Sequence, residues 1–192
     1  DYNKMYYNPN VVYTYWDGVN VAGTAYTDAS PTAAPYDPYY SGTGGNNHGT
    51  INLTSTQSFT TKYCTQSGGA LQNGETEVSV SMYPAHYYVW TDNYGGSANS
   101  VVDAGDTHTL YEIRPETGSA SSSCTSGATC PSTFTRTAAR TDCADYLNCT
   151  RTEELQNFAN WFSYYRKRNL VVKSAISAVV APSSTATYRM AH

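Results

Sequence analysis

Charge is what this sequence has least of. Only 14% of its 192 residues are Asp, Glu, Lys or Arg, and the net charge is −4. Such a balance offers no basic field to a nucleic acid, and the one basic cluster, Arg166-Lys167-Arg168, falls inside a helical pattern where it reads as a solvated face. Apolar runs are short as well. No stretch reaches the roughly 18 consecutive apolar residues of a membrane span, and no charged-then-apolar leader opens the chain. Signatures of catalysis are also missing: there is no nucleophile elbow, phosphate loop, dinucleotide fingerprint or C-x-x-C-H haem motif. His48, His86, His108 and His192 stand far apart, with no acidic partner at a recognisable spacing. The chain is expected to be non-enzymatic and to hold no cofactor of its own.

Cysteine is sparse but patterned. Cys124 and Cys130 are separated by five residues, as are Cys143 and Cys149, and each pair brackets a small polar loop. A zinc ribbon or finger needs two to four intervening residues, and no histidine lies close enough to complete a ligand set. Two local disulfides are the expectation, and with them an oxidising compartment. Cys64 has no obvious mate.

Tyrosine, by contrast, is abundant, with 19 residues, alongside 14 Gly and many Ser, Thr and Asn. A chain covered by such residues resembles an exported surface protein. Tyr6, Tyr7, Tyr13, Tyr39 and Tyr40 are candidates for an aromatic surface that contacts glycans or a partner, since amphipathic rings give area at low entropic cost. More often, such rings fill the spaces between irregular loops. Asp28-Ala-Ser-Pro-Thr32 has the outline of a metal-ion-dependent adhesion site, but the residues before Asp28 do not form the buried strand that would present it. Asp92-Asn93 and the 103–106 segment are read as turns rather than calcium loops.

Taken in order, residues 11–16 suggest a strand and residues 17–47 a loop-rich run. Short strands are then expected at 50–53, 58–63, 75–82 (after an Asn73-Gly74 turn), 86–91 and 108–114. Residues 118–148 read as a Ser/Thr/Cys-rich linker with at most one strand near Phe134. The longest regular pattern is 150–181. Thr150 and Glu153 form a capping box, and Leu155, Phe158, Ala159, Phe162, Tyr165, Val172, Ile176 and Val179 recur at helical spacing. A single amphipathic helix on the order of 40 Å long is predicted there, followed by a strand at 185–192. The fold class is α+β, with a β-rich, loop-rich segment at 1–149 (its disulfide-tied linker at about 118–149) and a helix-plus-strand unit at 150–192. Both ends are expected to be cut from a longer polypeptide: position 1 is not Met, and the last strand stops as it begins.

The helix also carries a resemblance. Glu153 and Glu154, Leu155, Gln156, Asn157, Phe158, Ala159, Asn160, Trp161, Phe162, Ser163, Tyr164, Tyr165 and Arg166, preceded by Thr141-Asp142-Cys143 and Cys149-Thr150, resemble the type IV pilus tip-associated adhesin family (PilC/PilY). Met5-Tyr-Tyr-Asn-Pro-Asn-Val11, Ala29-Ser-Pro-Thr32 and residues 77–84 look like further landmarks in the same order. The resemblance implies part of a von Willebrand A-like α/β domain, with residues 1–149 as a large insertion and 150–181 as its first large helix. It further implies a bacterial cell-surface protein, exported through the periplasm, that supports pilus assembly with minor pilins and attaches to host or abiotic surfaces. The family's calcium or magnesium ligands would lie outside this chain. Two other readings stand beside it, a self-associating filament subunit joined by strand exchange and a glycan-binding module.

Overall fold

In the computed structural model, residues 6–40, 48–67, 70–93, 96–116 and 124–180 are described, with only the backbone path for 61–77. They form an α+β fold of short strands in small sheets with two helices. β1 (Ala34–Pro35) pairs with β2 (Thr50–Ile51), and β3 (Gln57–Ser67) pairs with β4 (Ala70–Met82), both antiparallel. β5 (His86–Thr91) and β6 (Thr107–Glu112) are antiparallel, and β7 (Ala128–Thr129) joins β6 in parallel. β8 (Thr133–Thr135) pairs antiparallel with β9 (Asn148–Thr150), which leads directly into α1 (Arg151–Tyr164). α2 is Arg168–Val180.

The start of α1 is the one the sequence marks. Thr150 accepts from the Glu153 N–H, and the Glu153 carboxylate takes the Thr150 N–H at 2.8 Å, closing the capping box. Glu153 also accepts the Ala144 N–H at 2.7 Å, so the cap is tied to the Cys143–Cys149 loop.

The single long helix expected over 150–181 is instead two helices. No Gly or Pro interrupts the pattern at Tyr165, Arg166 or Lys167, so the break comes from tertiary partners. The last carbonyls of α1 are taken by other donors: Trp161 O by the Tyr165 and Arg166 N–H groups, Tyr164 O by the Trp16 indole at 3.1 Å, and Phe162 O by the Arg166 guanidinium. Arg166 reaches on to Tyr36 O at 2.9 Å. With those acceptors filled, the chain turns and restarts at Lys167, whose carbonyl receives Leu170 and Val171. The strand expected at 185–192 lies outside the described residues.

Three further expectations are corrected. Residues 11–16 run without a strand partner, because side-chain amides of α1 fill the place of a ladder. Asn73 and Gly74 lie within β4 rather than at its turn. Finally, the described part of the 118–148 stretch is no loose linker: it contributes β7 and β8, and Phe134, Arg136 and Arg140 are all buried.

The core is aromatic and draws on both sides of position 150. Tyr13, Trp16, Tyr83, Tyr87, Phe134, Phe158, Tyr164 and Tyr165 pack in one cluster with Leu53, Ile113, Leu155 and Leu170. Many ring pairs are tilted or edge-on, the arrangement their quadrupoles prefer.

Candidate functional site

The residues of the family-like helix point mostly inward, onto the chain's own backbone. Asn157 accepts the Tyr13 N–H at 2.7 Å and donates to Val11 O at 2.9 Å. One turn later Asn160 accepts the Ala29 N–H at 2.9 Å and donates to Tyr13 O and to Asp28, each at 2.9 Å. Gln156 donates to Ala29 O, and the Tyr164 hydroxyl donates to Thr27 O at 2.7 Å. Extended backbone needs a partner for each N–H and C=O once buried. Here the amides of α1, spaced three residues apart on one face, supply the partners a neighbouring strand would.

Glu154, fully buried, anchors a charged cluster at the first turn. Its carboxylate lies 2.5 Å from Arg140 Nη1 and 2.5 Å from Arg136 Nη2, and accepts the Tyr7 hydroxyl at 2.6 Å. Arg140 also meets Asp142 at 2.6 Å, so two guanidiniums face two carboxylates. Burial works against both cations, but Glu154, with Asp142 at Arg140 and Tyr87 at Arg136, outweighs it and holds both pKa values above the ordinary arginine range. Burial, reinforced by Glu154, pushes the Tyr7 hydroxyl well up. Arg166 has only carbonyl acceptors in its hydrogen bonds, and burial brings it down to about 10.

Both disulfides are formed, with Cα separations of 6.0 Å for Cys124–Cys130 and 5.2 Å for Cys143–Cys149. The first loop is fastened from two sides. Arg151 donates to Cys130 O and Pro131 O, and Glu112, itself held by Arg114 at 2.5 Å, accepts the Thr125 N–H. Cys64 lies in β3 opposite Glu75, next to a register shift.

The predicted surface tyrosines divide. Tyr6 is exposed, while Tyr13 is buried and belongs to the core, which corrects its assignment as a contact residue. Tyr39 and Tyr40 meet edge-to-face at 4.9 Å. They line a cleft of about 760 Å³ with Trp16, Tyr26, Lys173 and Ile176, and Lys173 pairs with Asp37 at 2.8 Å. Tyr7 lines a second groove, about 880 Å³, which runs between Asn8 and Asn10, residues 87–90 of β5 and residues 133–137. Clefts of 300–1,000 Å³ suit small molecules or single segments of a larger ligand.

The acidic turns behave as turns. The Asp92 carboxylate accepts the Asn99 and Ser100 N–H groups, and Asp103 accepts Gly105. Asp106 is held below its usual range by the backbone N–H groups of Asn93 and Asp103 and then by the Trp90 side chain. Among the described residues no group of three or more His, Cys, Asp or Glu side chains is placed to hold a metal ion, and no helix is long and apolar enough to cross a membrane.

Sequence reasoning missed the buried Glu154 cluster and the second groove. Glu154 stands in the family-like motif with no partner assigned to it, Arg136 and Arg140 are not singled out, and only the scarcity of charge in the chain hints that each has a partner. Compared with protein-family models, curated proteins and solved structures, the chain matches none.

Proposed function

We propose that this chain is a non-enzymatic display segment of an exported bacterial surface protein, a type IV pilus tip adhesin that supports pilus assembly and surface or host attachment. The observation that carries it is the inward use of the family-like helix. Glu154, Asn157 and Asn160 hold the chain's own loops in place, and those loops, with the short sheets, make up the outer surface. Such a surface suits recognition, because loops on a rigid scaffold tolerate variety where ligands meet them. Minor pilins or other pilus components, and a host or abiotic surface, are the partners in this reading. The two disulfides support an extracellular site and limit how far their loops extend under load.

Immunogold electron microscopy of the source cells, with antibody raised against this chain, tests the reading. Label at pilus ends is expected; label absent from piliated cells would sink it. A second reading rests on β3 and β4, which among the described residues pair only with each other. Open edges accept strands from neighbours. Label spaced regularly along a filament would favour that filament-subunit reading.

A further inference from the structure

Of the two clefts, the second is chemically the more selective. Among the described residues Arg136 is the only charged side chain lining it, and that guanidinium is buried against Glu154. A charged ligand would therefore find no free counter-charge, whereas a neutral one loses little on entry. The remaining lining is Tyr, Trp, Thr, Asn, Pro, Phe and Val, a mixture of ring faces and hydroxyl or amide groups.

Two features make the groove a prepared site rather than a gap. The first is Trp90, 46% exposed on the outer strand of its sheet. Its backbone is fixed by antiparallel pairing with His108 of β6. An exposed ring on a paired strand offers its face to a ligand without ordering the chain beneath it. The second is a pair of oriented amides. Asn8 Oδ1 accepts the Asn10 N–H, and Asn10 Oδ1 accepts the Thr137 N–H, both at 3.0 Å. A backbone N–H must meet oxygen, which settles the orientation of each amide. Both NH₂ groups are then donors with no partner among the described residues, as is the Thr137 hydroxyl.

We propose that this groove binds a neutral oligosaccharide, with a sugar ring stacked on Trp90 and its hydroxyls taken by Asn8, Asn10 and Thr137. A proline-rich peptide, the other common guest of aromatic grooves, brings carbonyls with no internal partners and needs donors for them. Proline has no N–H to give to the hydroxyl oxygens of Thr129, Thr133 and Thr137 in the lining, whereas a sugar hydroxyl donates as well as accepts, so the groove favours the sugar. The proposal rests on the display reading above and names the class of ligand displayed to.

Isothermal calorimetry on the full oxidised chain tests it, with neutral hexasaccharides of glucan, chitin, mannan and galactan type, a heparin hexasaccharide and a proline-rich decapeptide as probes. At least one neutral hexasaccharide is expected to bind, and Trp90→Ala to weaken it roughly tenfold or more, the effect of losing a central aromatic anchor. Trp90→Phe, which keeps an aromatic strand residue should the alanine variant not fold, is expected to lose part of the affinity. Overturning results are no binding of any neutral probe, binding that both Trp90 variants leave unchanged, or Trp90-dependent binding of the peptide or heparin alone. None of these would move label away from pilus ends, so the groove and the display reading fail separately.

Discussion

The two helices reverse the usual relation between sequence and burial. α1, RTEELQNFANWFSY, is the more polar and is buried along most of its length; α2, RNLVVKSAISAVV, is the more apolar and lies largely in solvent. Glu154, Asn157 and Asn160 are 0–4% exposed, whereas Val172, Ile176 and Val179 are 56–73% exposed. What separates the two is not affinity for water but the supply of partners. Glu154, Asn157 and Asn160 each meet a guanidinium, a hydroxyl or a backbone group, which offsets the loss of hydration, while the buried Ser163 hydroxyl has no hydrogen-bond partner among the described residues. α2 is held by Leu170, buried in the core at its first turn, by Lys173 to Asp37 and by the Ser177 hydroxyl donating to Asp17 O.

The largest expected effect is at Glu154. Glu154→Ala leaves Arg136 and Arg140 buried without their shared carboxylate, a loss of about 3–5 kcal/mol, read by urea unfolding of the oxidised chain. A loss under about 1 kcal/mol would mean that solvent reaches the cluster and that the contrast between the helices is weaker than drawn. Next comes Asn157→Ala, which orphans the Tyr13 N–H and the Val11 carbonyl. Its cost is about 2–3 kcal/mol by the same measurement, since an unsatisfied buried group such as the Tyr13 N–H costs about 1–3 kcal/mol and the half-buried Val11 carbonyl less. Hydrogen exchange should show faster exchange at Tyr13 in this variant, and unaltered protection there would argue that another group holds the segment. The smallest effect is on the exposed helix. Val172→Ser is expected to change stability by no more than about 0.5 kcal/mol, and a larger loss would show that this face is covered in solution.

Local features were the legible part of the fold. The capping box, the two cysteine loops and the 86–91 strand each depend on residues within a few positions of one another, and the structure has all of them. The break after Tyr164 was not legible, because the groups that end α1, Trp16 and the Arg166 side chain bound to Tyr36, are tertiary. Residues 11–16 have the composition of a strand, yet their partners are two asparagines some 145 positions away. The candidate groove was hidden for the same reason. Its walls come from Asn8, Trp90 and Thr137, and nothing at any one of those positions announces the others. Tyrosine abundance offered two readings, surface contact and, more often, packing between loops, and the structure sorts those rings into core, cleft and exposed surface.

The hydrogen bonds from α1 to residues 7–29 also set an order of events during synthesis. They span 127 to 150 positions, so residues 7–29 leave the ribosome well before the helix that holds them. Contacts of such range slow folding, because the intervening chain must be gathered before they form. Until α1 emerges this segment therefore carries unpaired backbone and bare tyrosine rings, exposed to premature association. Completion of α1 is the event that ends that state.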